Sequence, residues 1–81
     1  MVLQVRFFAS LVETVGCNEL RLEVAPDDTI DDLWARLSQK HPELGRLSYR
    51  PLVACDLTYA QWSDTLQGVE EVAFLPPVSG G

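Results

Sequence analysis

Only one stretch of this 81-residue chain has the period of a long helix, and the other patterned stretches have the period of strands. Thr29 is a good N-cap, because its hydroxyl can accept a hydrogen bond from the N–H of Asp32. Pro42 predicts that the helix ends at His41. Four apolar residues between these limits share one face and predict a core-facing stripe: Ile30, Leu33, Trp34 and Leu37.

Two stretches before the helix alternate between apolar and polar residues, as half-buried strands do. Residues 3–8 and 18–24 therefore predict an antiparallel pair of strands, and residues 9–15, which precede Gly16, predict a short helix or turn. Phe8 falls on the polar face of the first strand, so it is either a lone apolar surface group or part of a contact surface. The predicted core positions are Leu3, Val5, Phe7, Leu20, Leu22 and Val24.

The second half of the chain predicts three short strands. Residues 52–55 and 57–60 can form a hairpin, and residues 71–75 form the last strand. Residues 43–50 are interpreted as an irregular linker, and residues 63–66 as a single turn. One helix and five strands in this order predict an α+β fold, in which a mixed sheet packs on one main helix.

The chain ends in a short apolar segment without charged side chains. We expect residues 1–75 to form the folded body, and residues 76–81 to form a projecting tail. The two prolines favour an extended course, and the two glycines have no Cβ, so the tail can enter a narrow slot. The carboxylate of Gly81 is the candidate reactive group, although two terminal glycines are also compatible with a frayed end. The predicted tail residues are Pro76, Pro77, Val78, Ser79, Gly80 and Gly81.

Charge and composition exclude several classes of function. The formal net charge of −6 and the absence of a basic stripe argue against nucleic acid as a partner. No apolar run approaches the roughly 20 residues that span a bilayer, and the N-terminus lacks the pattern of a secretion signal, so we expect a cytoplasmic protein without a membrane partner. Cys17 and Cys55 lack metal or redox spacing and are interpreted as inert thiols. His41 is the only histidine, and no metal site is predicted.

The chain resembles the ubiquitin-like β-grasp sulfur carriers, and among them the small subunits of molybdopterin synthase. The resemblance covers essentially the whole chain. It is carried by the sequence Val-Arg-Phe-Phe-Ala at residues 5–9, by Thr29 at the helix start, and by residues 71–81 through the terminal Gly-Gly. The sequence departs from the usual family pattern at residues 54–56 and 68–70, which affects local turns and not the tail.

The resemblance implies that an adenylating enzyme like the ubiquitin-activating enzymes uses ATP to convert Gly81 to an acyl-adenylate. Sulfur from a donor protein then replaces AMP, which leaves a C-terminal thiocarboxylate. The tail enters the large synthase subunit, which holds the catalytic groups, and gives its sulfur to cyclic pyranopterin monophosphate to build the molybdopterin dithiolene. The resemblance also implies that Phe8, Tyr59 and Leu75 contact the large subunit. No permanently bound cofactor is expected.

Two alternatives stay open at this point. A carrier of the same build can serve thiamine synthesis or another thiolation pathway, with the same carboxylate and a different acceptor enzyme. A β-grasp protein modifier or a plain interaction module belongs to a different class, in which Gly81 forms an isopeptide bond with a lysine or has no chemical role.

Overall fold

The computed structural model describes residues 1–77 of the chain. They form five strands, two α-helices and one 3₁₀ helix. In chain order these are β1 (Val2–Phe7), α1 (Ser10–Val15), β2 (Glu19–Glu23), α2 (Ile30–Lys40), the 3₁₀ helix (Pro42–Arg46), β3 (Leu52–Cys55), β4 (Thr58–Tyr59) and β5 (Glu71–Leu75).

The five strands form one mixed sheet in the order β2-β1-β5-β3-β4. The first and last strands of the chain, β1 and β5, are parallel neighbours at its centre. The other three pairings, β1 with β2, β3 with β4 and β3 with β5, are antiparallel. The predicted mixed sheet on one main helix is confirmed, as is the hairpin of β3 and β4.

The start of α2 is fixed by a reciprocal pair of side-chain hydrogen bonds. The N–H of Asp32 donates to Thr29 Oγ1 at 3.2 Å, and the N–H of Thr29 donates to Asp32 Oδ2 at 2.9 Å. The N–H groups of Ile30 and Asp31 donate to the C=O groups of Asp64 and Trp62 at 3.0 Å each. All of the first N–H groups of the helix therefore have partners, and the predicted N-cap is confirmed.

The core lies between α2 and one face of the sheet. All three predicted core residues of β1 are buried, Leu20 and Leu22 on β2 are half-buried, and Val24, directly after β2, is buried. Trp34 is half-buried at the margin of the core. Its ring centroid lies 4.9 Å from that of Phe74 and 5.4 Å from that of Trp62. The fully buried side chains are Leu3, Val5, Phe7, Leu11, Ile30, Leu33, Leu37, Leu44, Leu66, Val72 and Phe74.

Two predictions about connecting segments were wrong in part. The interpretation of residues 43–50 as irregular missed the 3₁₀ helix, in which Pro42 occupies the first turn and Leu44 is buried. A proline at the first helical position costs no hydrogen bond, so the residue that ends α2 also starts the next turn. The turn predicted at residues 63–66 lies slightly earlier, because the N–H of Asp64 donates to the C=O of Gln61. Thr65 forms an isolated antiparallel β-bridge with Thr29.

Candidate functional site

β1 and β5 are the central strands, and their carboxyl ends lie side by side. We call this end of the sheet, where the strands stop, the tail edge. Phe7 on β1 pairs with Phe74 on β5 in their parallel register. The N–H of Phe8 then donates to the C=O of Phe74 at 3.2 Å. Because β5 ends at Leu75, the C-terminal segment of the chain begins at this edge.

An apolar surface covers part of the sheet on the side that faces away from α2. Leu52 lies opposite Leu75, and Ala54 lies between Ala73 on β5 and Tyr59 on β4. These positions alternate with the core positions of their strands, so their side chains leave the opposite face. We call this surface the apolar sheet face and define it by Phe8, Leu52, Ala54, Tyr59, Ala73 and Leu75; Ala73 is buried among its neighbours, and the other five are exposed or half-buried.

The predicted contact residues share this face. Phe8 is 36% exposed, Tyr59 is 72% exposed and Leu75 is half-buried. Their outward orientation agrees with the sequence, and their role in contacting a partner stays a prediction. The sequence did not single out Leu52, because residues 52–55 are apolar at every position and only strand pairing shows which of them point away from the core.

Arg6 borders the apolar sheet face on β1, opposite Ala73 on β5. Its guanidinium carbon lies 5.2 Å from the centroid of the Phe8 ring. Its Nη1 lies 3.7 Å from Oε1 of Glu71, and the two side chains are 42% and 24% exposed. The arginine therefore lies between the Phe8 ring and a carboxylate on the neighbouring strand.

The predicted tail begins beside this face. Pro76 is half-buried and Pro77 is exposed, and neither belongs to a strand. The predictions for Val78, Ser79, Gly80 and Gly81, including the reactive carboxylate, lie outside the described residues.

A groove of about 660 Å³ borders the apolar sheet face at Leu52 and Tyr59. Arg50 pairs there with Asp31, and its guanidinium carbon lies 4.1 Å from the centroid of the Trp62 ring. The arginine thus lies over the ring of Trp62, which packs against Trp34 and Phe74. This cation–π contact was not expected from the sequence, because Arg50 and Trp62 belong to separate segments of the chain.

The two cysteines are half-buried free thiols. Burial raises the pKa of the Cys55 thiol, and the negative charges of Asp56 and Asp64 raise it further. A raised pKa keeps this thiol protonated at neutral pH, which is the opposite of what a nucleophilic sulfur carrier requires. Within residues 1–77, no group of histidine, cysteine and carboxylate side chains is arranged to bind a metal, and no helix is long and apolar enough to cross a bilayer.

Comparison with known proteins identifies the family. The profile of the ThiS family matches residues 5–81 of the chain. The chain belongs to the ThiS family. The match includes the second half of β1 (residues 5–7), Phe8 and the whole C-terminal segment, so the edge and the tail both lie inside the part of the sequence that the family shares.

Individual relatives of this ThiS-family chain match over its full length. It is 32% identical to the molybdopterin synthase sulfur carrier subunit of Chlamydomonas reinhardtii, with 100% of each chain covered. The crystal structure of SAMP1 from Haloferax volcanii is similar with a TM-score of 0.80 and 29% identity, again with 100% of each chain covered. A complex of subunits 1 and 2 of the molybdopterin-converting factor from Helicobacter pylori contains a chain with a TM-score of 0.65 and 20% identity, with 100% of each chain covered.

These similarities confirm the predicted ubiquitin-like β-grasp architecture and the predicted family.

Proposed function

We propose that this chain is the sulfur-carrier subunit of a molybdopterin synthase. The observation that supports the proposal most is the full-length similarity to a molybdopterin synthase sulfur carrier subunit, and the matched region extends over Gly80 and Gly81 of this chain. The edge described above supports it independently, because a tail that starts beside an exposed apolar surface can enter a partner while the surface binds that partner.

The tail chemistry follows from the properties of a carboxylate. A carboxylate is a poor acyl donor, because its charge is delocalised and its leaving group would be oxide. In the proposed cycle, an oxygen of the Gly81 carboxylate attacks the α-phosphate of ATP on an adenylating enzyme and displaces pyrophosphate. Sulfide (HS⁻) released from a donor protein then attacks the acyl carbon, displaces AMP and loses its proton, which leaves a thiocarboxylate. Its sulfur is a soft nucleophile that the large subunit directs at cyclic pyranopterin monophosphate, and two such transfers, each of one sulfur atom, form the dithiolene.

In this proposal the body of the protein positions the tail in the large subunit and provides no catalytic group. The described residues place no pair of base and nucleophile at the tail edge, so the acid–base groups belong to the large subunit. Residues 76–81 act as the inserted arm, and Phe8, Tyr59 and Leu75 act as contacts on the apolar sheet face. A cytoplasmic setting, where thiols stay reduced, fits a chain with two free cysteines.

Changing the length of the tail tests this proposal. Deleting Gly81 moves the carboxylate back by up to about 3.5 Å, and an alanine added after Gly81 moves it forward by a similar distance. We expect both changes to reduce ATP–pyrophosphate exchange on the cognate adenylating enzyme by at least roughly 100-fold, because catalysis depends on placement at this scale. Both variants should retain the unfolding midpoint of the unmodified protein, since the change lies beyond β5. Normal exchange with either variant would contradict the carrier chemistry.

A protein modifier is the second candidate function. It is favoured by the similarity to Haloferax volcanii SAMP1, a small archaeal modifier protein, at 29% identity over both full chains. Incubating the chain with its adenylating enzyme, ATP and cell lysate distinguishes the two roles. A modifier gives conjugates of higher mass, whereas a carrier stays a free chain with one oxygen exchanged for sulfur. A carrier for thiamine synthesis or another thiolation pathway would load sulfur equally well and would fail only with the pterin precursor.

A further inference from the structure

A partner that covers Phe8 also removes water from the guanidinium of Arg6. The guanidinium lies over the Phe8 ring at 5.2 Å, and on the sheet it stands opposite Ala73, which belongs to the apolar sheet face. Any surface that closes over Phe8 and Ala73 therefore also removes water from the 42% of the Arg6 side chain that is now exposed.

The described residues leave the hydrogen-bonding capacity of Arg6 unused. A guanidinium has five N–H donors. Its nearest carboxylate oxygen, Oε1 of Glu71, lies 3.7 Å from Nη1, which is within ion-pair range and beyond hydrogen-bond range. In the free protein water serves these donors. Once water is excluded, each donor without an acceptor opposes binding, and an incompletely paired charge opposes it more strongly.

We propose that the partner surface that binds the apolar sheet face carries a carboxylate, which accepts hydrogen bonds from Arg6 beside the apolar recess that receives Phe8. This inference rests on the proposed function, with the large subunit as the partner. A carboxylate fits better than a neutral carbonyl, because its two oxygens match the planar fork of a guanidinium and its charge offsets the charge being buried. Glu71 approaches Arg6 within its own sheet, so the outward donors stay available to the partner.

The chain provides a matched control for this arginine. Arg21 lies on β2, where it pairs with Gln4 of β1, so it belongs to the same side of the sheet and stands one strand further from the apolar sheet face. Arg21→Met removes the same charge as Arg6→Met without affecting the contact with Phe8. Comparing the two variants separates a local hydrogen bond from a change in overall charge.

The test is the dissociation constant for the purified cognate large subunit, measured by isothermal titration at about 150 mM salt. There the screening length is about 8 Å. We expect Arg6→Met to weaken binding by at least roughly tenfold, and Arg21→Met by less than about twofold. Arg6→Lys should recover only part of the loss, because an ammonium cannot form two parallel bonds to one carboxylate. Equal effects of Arg6→Met and Arg21→Met would overturn the proposal.

Glu71→Gln identifies which carboxylate accepts the bonds. If the acceptor belongs to the partner, this variant binds as well as the unmodified protein or more tightly. If Glu71→Gln loses as much affinity as Arg6→Met, the acceptor is Glu71 and the proposal is wrong.

Phe8→Ala tests separately whether the apolar sheet face is the docking surface. Unchanged binding in that variant would reject this docking surface and the Arg6 inference with it. Loss of binding with Phe8→Ala but not with Arg6→Met would reject the Arg6 inference alone.

Discussion

Truncating Phe8 to alanine should weaken docking to the large subunit without unfolding the protein. A phenylalanine side chain presents roughly 200 Å², so the 36% that is exposed amounts to roughly 70 Å². At about 25 cal/mol per Å², burying that area in a partner contributes about 1.8 kcal/mol. The dissociation constant should therefore rise roughly 20-fold in Phe8→Ala. Phe8→Leu should restore most of this loss, because the apolar area is largely kept.

Val2 provides the control for this measurement. It lies on β1, an even number of residues from Phe8, which directly follows that strand, so it shares the face of Phe8 at the opposite end of β1. It is 59% exposed, and Val2→Ala should change the dissociation constant less than about twofold, since the contact is local. Urea unfolding of both variants should give midpoints close to that of the unmodified protein. Refutation would come from a Phe8→Ala protein that unfolds or that binds normally, since the first outcome makes Phe8 a core residue and the second removes it from the interface.

Four further predictions concern the body of the protein. Thr29→Ala should lower the free energy of unfolding by about 1 kcal/mol in urea titrations and leave sulfur loading intact, because it removes only the helix cap; an unchanged midpoint would contradict the cap. Leu57 has φ +70 in the β3–β4 turn and is 89% exposed, so Leu57→Gly should raise the free energy of unfolding by about 0.5 to 1 kcal/mol, with Leu57→Ala as a neutral control. A destabilised glycine variant would show that the turn is not strained. The double variant Cys17→Ala, Cys55→Ala should still accept sulfur, as measured by intact mass. In the unmodified protein, alkylation of Cys55 should become fast only at alkaline pH, since its pKa is raised. Sulfur loading that disappears in a folded double variant would move the chemistry to a side chain.

Local patterns in the sequence predict the elements of this fold well. The alternation of residues 3–8 predicts both the strand and the outward position of Phe8, because a strand with one buried face admits only one register. Thr29 predicts the helix start for an equally local reason, since the capping partner Asp32 is three residues away. The 3₁₀ helix at Pro42–Arg46 was missed because Pro42, the signal that ends one helix, is also compatible with starting another.

The long-range pairings are what the sequence could not supply. Nothing local shows that β1 and β5, separated by more than sixty residues, run parallel at the centre of the sheet. That pairing brings Arg6 to Glu71, and the pairing of β3 with β5 brings Leu52 to Leu75. Alternation places Arg6 on the outer face of its strand, but only the assembled sheet shows that it lies against the surface that a partner would cover.

The central claim is that the C-terminal carboxylate of Gly81 carries sulfur. The most direct measurement is the intact mass of the protein after incubation with its cognate adenylating enzyme, ATP and sulfide under reducing conditions. The carrier proposal predicts a single new species in which one oxygen is replaced by sulfur, and fragmentation should locate the change at Gly81. The proposal would be contradicted by a mass that stays unchanged while ATP is consumed, or by sulfur located on Cys17 or Cys55.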